Sequence, residues 1–181
     1  MMLFIHEMGH ILIAKYFRLN VSDITVFPFG FFATIYHLET ISSIKLIIIM
    51  LGGLLMHVFF YYALIFVLSF DLISLSYYDY LQRINSSILL FNLLPIYPLD
   101  GSRCLFAILR LFLSYNKSKL VIYYISWCII PILFIYANLS LRIMFVFLFY
   151  LGLKNYNEFD LEMVEVLYYK EKYFNVKKNH V

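Results

Sequence analysis

Long apolar stretches with almost no charged side chains constrain the fold of this chain more than any other feature. Of its 181 residues, 64% are hydrophobic and 14% are charged, whereas soluble domains are roughly 45–50% apolar and about 25% charged. About five stretches are long enough, or nearly so, to cross a hydrocarbon core of about 30 Å. We therefore predict an all-α polytopic membrane protein with about five transmembrane helices.

The two longest apolar stretches cannot each be a simple crossing. Residues 44–70 exceed the length that one crossing needs, so the helix must tilt or break, and the pair Gly52–Gly53 is the expected position of a break. Glycine pairs also permit close approach of two helices. Residues 120–153 are longer still, and Pro131 with the polar residues 138–140 predicts two short spans joined by a tight turn.

Two other regions are predicted to be irregular. Residues 21–38 carry Pro28 and Gly30 among β-branched and aromatic residues, which predicts a short β-hairpin or re-entrant segment. Residues 84–113 are predicted to re-enter the membrane, but two prolines and a glycine interrupt this span, so it is predicted to be a broken helix. Irregular backbone at membrane depth is tolerated only where protein or water satisfies its hydrogen bonds.

The distribution of charge predicts how the chain is divided and oriented. We predict a membrane-embedded domain over residues 1–153 and a cytoplasmic C-terminal helical tail over residues 154–181. Most lysines and arginines then fall on one side of the membrane, as the positive-inside rule requires. The chain has no basic patch with interleaved aromatic side chains, so we expect no nucleic-acid partner.

His6, Glu7 and His10 form the motif that carries chemistry, in a first helix predicted to end near Phe17. Residues four apart lie on the same face of a helix, so His6 and His10 can bind one metal ion together. Glu7 then lies beside the metal, where an unligated carboxylate can take a proton from a water molecule. The motif is only moderately specific by itself, but its apolar surroundings favour a zinc site.

Asp100 complements this motif from the predicted helix break. A charged carboxylate left unpaired at the bilayer centre costs on the order of 2.5–3.5 kcal/mol, so a cation is its most favourable partner. Catalytic zinc takes three protein ligands and keeps one open position, which makes Asp100 the predicted third ligand beside His6 and His10. His57 is predicted to be a hydrogen-bonded structural residue and not a ligand.

Two motifs occur together in this chain. One is His6-Glu7-x-x-His10, and the other, at the break, is Asn92-x-x-Pro95-x-x-Pro98-Leu99-Asp100-Gly101. The combination resembles the site-2 protease family of intramembrane zinc metalloproteases. Phe27-Pro28-Phe29-Gly30 and Gly53-Leu54-Leu55-Met56-His57 resemble its sporulation branch, the stage IV sporulation protein FB type. Compared with that branch, we expect the chain to be N-terminally shortened and to lack the nucleotide-binding (CBS) domain.

The resemblance implies a role for each candidate site residue. His6, His10 and Asp100 would hold Zn²⁺, Glu7 would be the general base and later the proton donor, and Asn92 would hold the substrate backbone or a developing oxyanion. The implied substrate is a membrane-associated protein, with the pro-sequence of a sporulation sigma factor as the candidate. Inhibitory membrane proteins are implied partners in a bacterial cell membrane, and the oligomeric state stays open.

The leading prediction is therefore a zinc metalloendopeptidase that hydrolyses a peptide bond in a membrane-associated substrate. The alternative is a non-catalytic site-2-protease-like membrane protein that acts as a substrate-binding or regulatory partner. A metal transporter would also carry intramembrane histidine and aspartate, but it would leave Glu7 without a purpose, and the chain lacks paired metal sites along a path. Cleavage by a Glu7→Gln variant separates the catalytic prediction from the others.

Overall fold

The computed structural model describes residues 2–27, 30–35 and 41–158, and it describes residues 22–27 and 30–35 by their backbone alone. The predicted C-terminal tail lies outside the described residues from residue 159 onward. In chain order the elements are α1 (Met2–Tyr16), β1 (Val21–Phe27), β2 (Gly30–Ile35), α2 (Ser43–Ser69), α3 (Leu75–Asn92), α4 (Asp100–Leu109), α5 (Tyr115–Tyr136) and α6 (Leu139–Asn157).

Three of the helices, α2, α5 and α6, are long and apolar enough to cross a membrane, counted over the described part of the chain. The prediction of a helical membrane protein is confirmed at this level. The chain divides into two compact units. The first consists of Met1–Pro95 and Leu99–Phe112, and the second consists of Ile96–Pro98 and Leu113–Val181.

Helix α2 is continuous from Ser43 to Ser69, so the predicted break at Gly52–Gly53 is wrong. The glycine pair instead allows α1 and α2 to approach each other closely. A Cβ atom at Gly52 would lie 2.8 Å from the carbonyl carbon of Gly9 in α1, and one at Gly9 would lie 2.6 Å from that of Gly52. The backbones of α1 and α2 therefore touch at this crossing, which no larger residue would permit.

The predicted break is present between two helices, but the first of them begins earlier than predicted. Helix α3 starts at Leu75 and not at Ile84, because the Ser74 hydroxyl accepts a hydrogen bond from the backbone N–H of Tyr77 and caps the helix. Helix α3 ends at Asn92, and α4 begins at Asp100. The prolines between these helices interrupt the regular hydrogen-bond pattern, as predicted.

Strands β1 and β2 pair antiparallel, with Val26 opposite Phe31 and Phe27 opposite Gly30. The pairing is irregular between Val21 and Ile24. Strand β2 runs beside α1. Residues 28, 29 and 36–40 of the predicted hairpin or re-entrant segment lie outside the described residues.

In the second unit, α5 and α6 are separate helices that pack together, as predicted for residues 120–153. The turn lies at Asn138, whose side chain accepts a hydrogen bond from the backbone N–H of Leu141 at 3.0 Å. Pro131 lies inside α5 and does not form part of the turn. The Ser126 hydroxyl accepts a hydrogen bond from the backbone N–H of Tyr97 at 2.9 Å, which ties residues 96–98 to α5.

Candidate metal centre

His6 and His10 lie one turn apart on α1 and face the same side, as their spacing requires. Each side chain is buried, with 4% of its residue surface exposed. Their Nε2 atoms are 3.2 Å apart, and the two rings meet nearly perpendicular. Two buried imidazoles therefore present a nitrogen atom to one common point.

Asp100 brings a carboxylate oxygen to the same point from the first turn of α4. Its Oδ2 atom lies 2.8 Å from Nε2 of His6 and 3.0 Å from Nε2 of His10. The positive end of the helix dipole at the start of α4 favours a negative charge at this position. The three donor atoms thus converge, although Asp100 lies 94 residues from His6 and 90 residues from His10 in sequence.

The site requires glycine at two positions, Gly53 and Gly101. A Cβ atom at Gly53 would lie 2.6 Å from Nε2 of His10 and 2.7 Å from Nδ1 of His6, so no other residue leaves room for both rings. A Cβ atom at Gly101 would collide with the carbonyl groups of Leu93 and Leu94. Gly101 therefore lets α4 start close to the end of α3, which places Asp100 at the site.

His10 is oriented by the backbone of α2. Its Nδ1 atom lies 2.8 Å from the carbonyl oxygen of Ile49. A carbonyl oxygen can only accept, so Nδ1 carries the proton and, in the neutral ring, Nε2 keeps its lone pair. This is the usual arrangement of a metal-binding histidine, whose second nitrogen donates to a carbonyl or carboxylate group.

The three donors fit a zinc ion. Ligand atoms on a tetrahedron with Zn–N and Zn–O bonds of about 2.0–2.1 Å lie about 3.3 Å apart. The observed separations of 2.8, 3.0 and 3.2 Å form a slightly contracted version of one face of that tetrahedron. Two imidazoles and one carboxylate are a donor set that zinc hydrolases use, with the fourth position left open.

The two remaining predicted site residues lie at the edges of this cluster. Glu7 follows His6 on α1 and is half-buried. Asn92 is the last residue of α3 and is also half-buried. The structure thus brings His6, His10 and Asp100 into one group, whereas the roles assigned to Glu7 and Asn92 stay predictions.

A second buried polar pair adjoins the cluster. His57 of α2 and Asn85 of α3 have 3% and 4% of their surface exposed. Nδ1 of His57 donates to Oδ1 of Asn85 at 2.7 Å, and the Asn85 amide donates to the carbonyl oxygen of His57 at 3.2 Å. His57 is therefore hydrogen-bonded, as predicted, and its ring centroid lies 5.1 Å from that of His6.

No protein-family model matches the chain. It is similar to Stage IV sporulation protein FB of Bacillus subtilis, with 27% identity over 150 residues that make up 80% of this chain. It is also similar to a zinc metalloprotease of Methanocaldococcus jannaschii, with 28% identity over 145 residues, or 78% of this chain. The resemblance to the site-2 protease family is confirmed. The chain spans about half the length of these curated relatives, 52% of the first and 42% of the second.

Three parts of this site-2-protease-like centre were missed by sequence reasoning. They are the cradle at Gly53, the Ile49 carbonyl that orients His10, and the partnership of Asn85 with His57. The glycine pair was visible as a possible close approach of helices. A backbone acceptor and an asparagine 28 residues from its partner leave no signal in the sequence.

Proposed function

We propose that this chain is an intramembrane zinc metalloprotease that hydrolyses a peptide bond in a membrane-associated protein. The observation that carries the proposal is the convergence of His6 Nε2, His10 Nε2 and Asp100 Oδ2 within one buried group. A zinc ion bound there would polarise the scissile carbonyl and lower the pKa of water at its open position to about 7. The similarity to a zinc metalloprotease supports this assignment of the metal.

Glu7 is the general base in this proposal. It lies next to His6 in sequence, and it is not one of the three donors that converge. Glu7 takes a proton from the attacking water while the water oxygen bonds to the carbonyl carbon. The same proton then passes from Glu7 to the amide nitrogen as the C–N bond breaks, which releases a carboxylic acid and an amine.

The substrate must enter the site as an extended chain, because the peptide bonds of a helix are shielded. Two features of the chain support this requirement. Strand β2 runs beside α1, which carries Glu7, and an extended substrate can pair with an exposed strand edge. Asn92 at the end of α3 is the proposed holder of the substrate backbone or of a developing oxyanion.

The membrane topology follows from the same proposal. Beyond α2, α5 and α6, we place α1 and the broken pair α3–α4 across the bilayer, which gives five crossings with the hairpin at its edge. Helix α1 has 15 residues and is about 22 Å long, so it crosses only part of the core as described. The positive-inside rule puts the C-terminus in the cytoplasm of a bacterial cell.

The proposed substrate is the pro-sequence of a sporulation sigma factor, as the resemblance of the motifs to the sporulation branch implies, and the similarity to Stage IV sporulation protein FB supports a sporulation setting. Inhibitory membrane proteins are proposed partners on the same ground. The test is co-expression of the chain with a membrane-tethered sigma-factor precursor, followed by separation of precursor and product. Wild type is compared with Glu7→Gln, and Asp79→Asn serves as the control because Asp79 is an exposed carboxylate of α3.

We expect Glu7→Gln to lower cleavage about 10²–10⁴-fold, since general base catalysis contributes this much. Asp79→Asn should cleave like wild type. Unchanged cleavage by Glu7→Gln would show that the catalytic proposal is wrong. A wild-type chain that holds zinc but cleaves nothing would instead support a non-catalytic partner that binds the substrate or regulates another protease.

A further inference from the structure

His6 lacks the second hydrogen bond that His10 makes. If His6 binds a metal through Nε2, its neutral ring must carry the proton on Nδ1, which then needs an acceptor. Nδ1 of His6 is buried and has no hydrogen-bond partner within the described residues. For His10 the same atom donates to the Ile49 carbonyl. The two histidines of one motif are thus supported unequally.

His57 offers the complementary group. Asn85 Oδ1 can only accept, so Nδ1 of His57 carries the proton, and Nε2 of the neutral ring keeps a lone pair. That Nε2 atom is also buried without a hydrogen-bond partner in the part of the chain that the structure describes. Leaving a buried polar atom unsatisfied costs roughly 1–3 kcal/mol. A donor and an acceptor that both need a partner therefore lie in the same region of the first unit.

The rings that carry these two atoms are neighbours at the crossing of α1 and α2. The ring centroids of His6 and His57 are 5.1 Å apart, and the rings are tilted by 46°. The Nδ1 side of His6 points at α2, because a Cβ atom at Gly53 would lie 2.7 Å from Nδ1. His57 follows Gly53 by one helical turn and lies on the same face of α2.

We propose that His57 is a positioning residue of the metal centre. Its Nε2 accepts the hydrogen bond of His6 Nδ1–H, either directly after a small rotation of the His6 ring or through one water molecule. Asn85 fixes the His57 ring by holding both its Nδ1–H and its main-chain carbonyl. The result is a chain of groups from Asn85 through His57 to His6, which does for His6 what the Ile49 carbonyl does for His10.

This inference rests on the proposed metal centre, and it concerns how tightly that centre binds zinc. Outer partners of metal-binding histidines fix the ring orientation and raise the basicity of the ligand nitrogen, and their loss lowers metal affinity or activity about 10–100-fold. His57 touches neither the substrate nor the reacting atoms in this scheme. Its effect is therefore expected on zinc affinity first and on cleavage as a consequence.

The test measures the zinc dissociation constant of the purified full chain in detergent, by competition with a chromophoric chelator. His57→Phe keeps a ring of similar size but removes the acceptor, and His57→Gln keeps an acceptor oxygen near the position of Nε2. Asn85→Leu removes the group that fixes the ring. Leu64→Ala is the matched control for packing, because Leu64 is a buried residue of α2 two turns beyond His57.

We expect His57→Phe to weaken zinc binding about 10–100-fold, Asn85→Leu to weaken it less, and His57→Gln to restore most of the wild-type affinity. Leu64→Ala should bind zinc like wild type. Wild-type affinity in His57→Phe overturns the inference and leaves the metal centre intact. An equal loss in His57→Phe, His57→Gln and Leu64→Ala also overturns it, because the loss would then come from packing.

The failure of the proposed function gives a different result. If the wild-type chain binds no zinc, or binds it equally well after His10→Ala, the metal centre itself is wrong, and the role of His57 falls with it. If wild type binds zinc and His10→Ala does not, the comparison of the His57 variants decides the inference alone.

Discussion

Asp100 converts a pair of histidines into a three-donor site. Its Oδ2 lies within 3.0 Å of both histidine nitrogens, and it supplies the only negative charge among the three donors. Its identity could be predicted because a carboxylate at a helix break in an apolar chain needs a cation. What the sequence could not predict is the register that brings α4 to α1, since this depends on the contact of Gly101 with Leu93 and Leu94.

Replacement of Asp100 by asparagine tests this charge. Asp100→Asn keeps the shape of the side chain and removes the anionic ligand, so zinc affinity should fall by more than the ~10–100-fold that loss of an outer partner costs. The measurement is zinc content after dialysis against a defined free-zinc buffer. Asp79→Asn on the exposed side of α3 is the control and should keep wild-type zinc content. Full zinc occupancy in Asp100→Asn would show that the Asp100 carboxylate is not a zinc ligand.

Substitution of Gly53 is predicted to abolish zinc binding as substitution of a ligand would, although Gly53 itself does not bind the metal. A Cβ atom there would press on both histidine rings, at 2.6 Å from His10 Nε2. We expect Gly53→Ala to lose most zinc binding while the chain remains folded by circular dichroism. Gly152→Ala is the matched control, because its Cβ would meet only Trp127, at an ordinary distance of 3.6 Å. If Gly53→Ala binds zinc at the wild-type level, glycine is not required at this position for the histidine rings to fit.

At the scale of elements, the crossing of α1 and α2 is the contact that builds the site. His10 contacts Ile49, Gly9 contacts Gly52, and His6 contacts Gly53. Residue numbers fall along α1 as they rise along α2, so the two helices run antiparallel. The existence of both helices was predictable from apolar length. The use of the glycines was not, because a glycine pair is compatible with a break or with a close contact, and only the partner Gly9 decides between them.

The crossing can be tested by its effect on stability. Gly9→Ala would place a Cβ atom 2.6 Å from the carbonyl carbon of Gly52 and 2.8 Å from Cγ of Met56, so the helices must separate. Overpacking of this kind costs about 1–3 kcal/mol, and we expect the free energy of unfolding in detergent to fall by that amount. Gly152→Ala should leave it unchanged or raise it by up to about 1 kcal/mol, through helix propensity. Equal stability of Gly9→Ala and wild type would argue against backbone contact.

The start of α3 shows where prediction from apolar length fails. Residues 75–83 include polar side chains and lie before the predicted span of residues 84–113, yet they are helical from the Ser74 cap onward. The cap depends on one local hydrogen bond, which cannot be predicted from the apolar composition of the segment. The two-helix arrangement of α5 and α6, by contrast, follows from the polar residues Asn138 and Ser140 in a stretch too long for one crossing, and it was predicted correctly.

At the scale of the whole molecule, the three donors and their supports all belong to the first unit. Zinc should therefore stabilise α1 and α4 directly and should leave α5 and α6 unaffected. Added at about 100 times its dissociation constant, it contributes roughly 2.7 kcal/mol to the folded state. We expect hydrogen exchange of backbone amides to slow in Met2–Tyr16 and Asp100–Leu109 but not in Leu139–Asn157.

The control for this exchange experiment is His10→Ala, which should show no zinc-dependent slowing in any helix. Slowing of equal size in α1 and α6 of the wild type would contradict a metal centre confined to the first unit. Slowing that persists in His10→Ala would show that zinc binds elsewhere on the chain.

The separation of the donors along the chain also fixes an order of assembly. His6 and His10 leave the ribosome first, whereas Asp100 follows 90 residues after His10. During synthesis the early histidines can meet the glycines of α2 before Asp100 is present, so the nascent chain would offer two nitrogen donors without the third ligand. Full loading of the proposed zinc site would therefore wait until Asp100 of α4 has been made, 90 residues after His10.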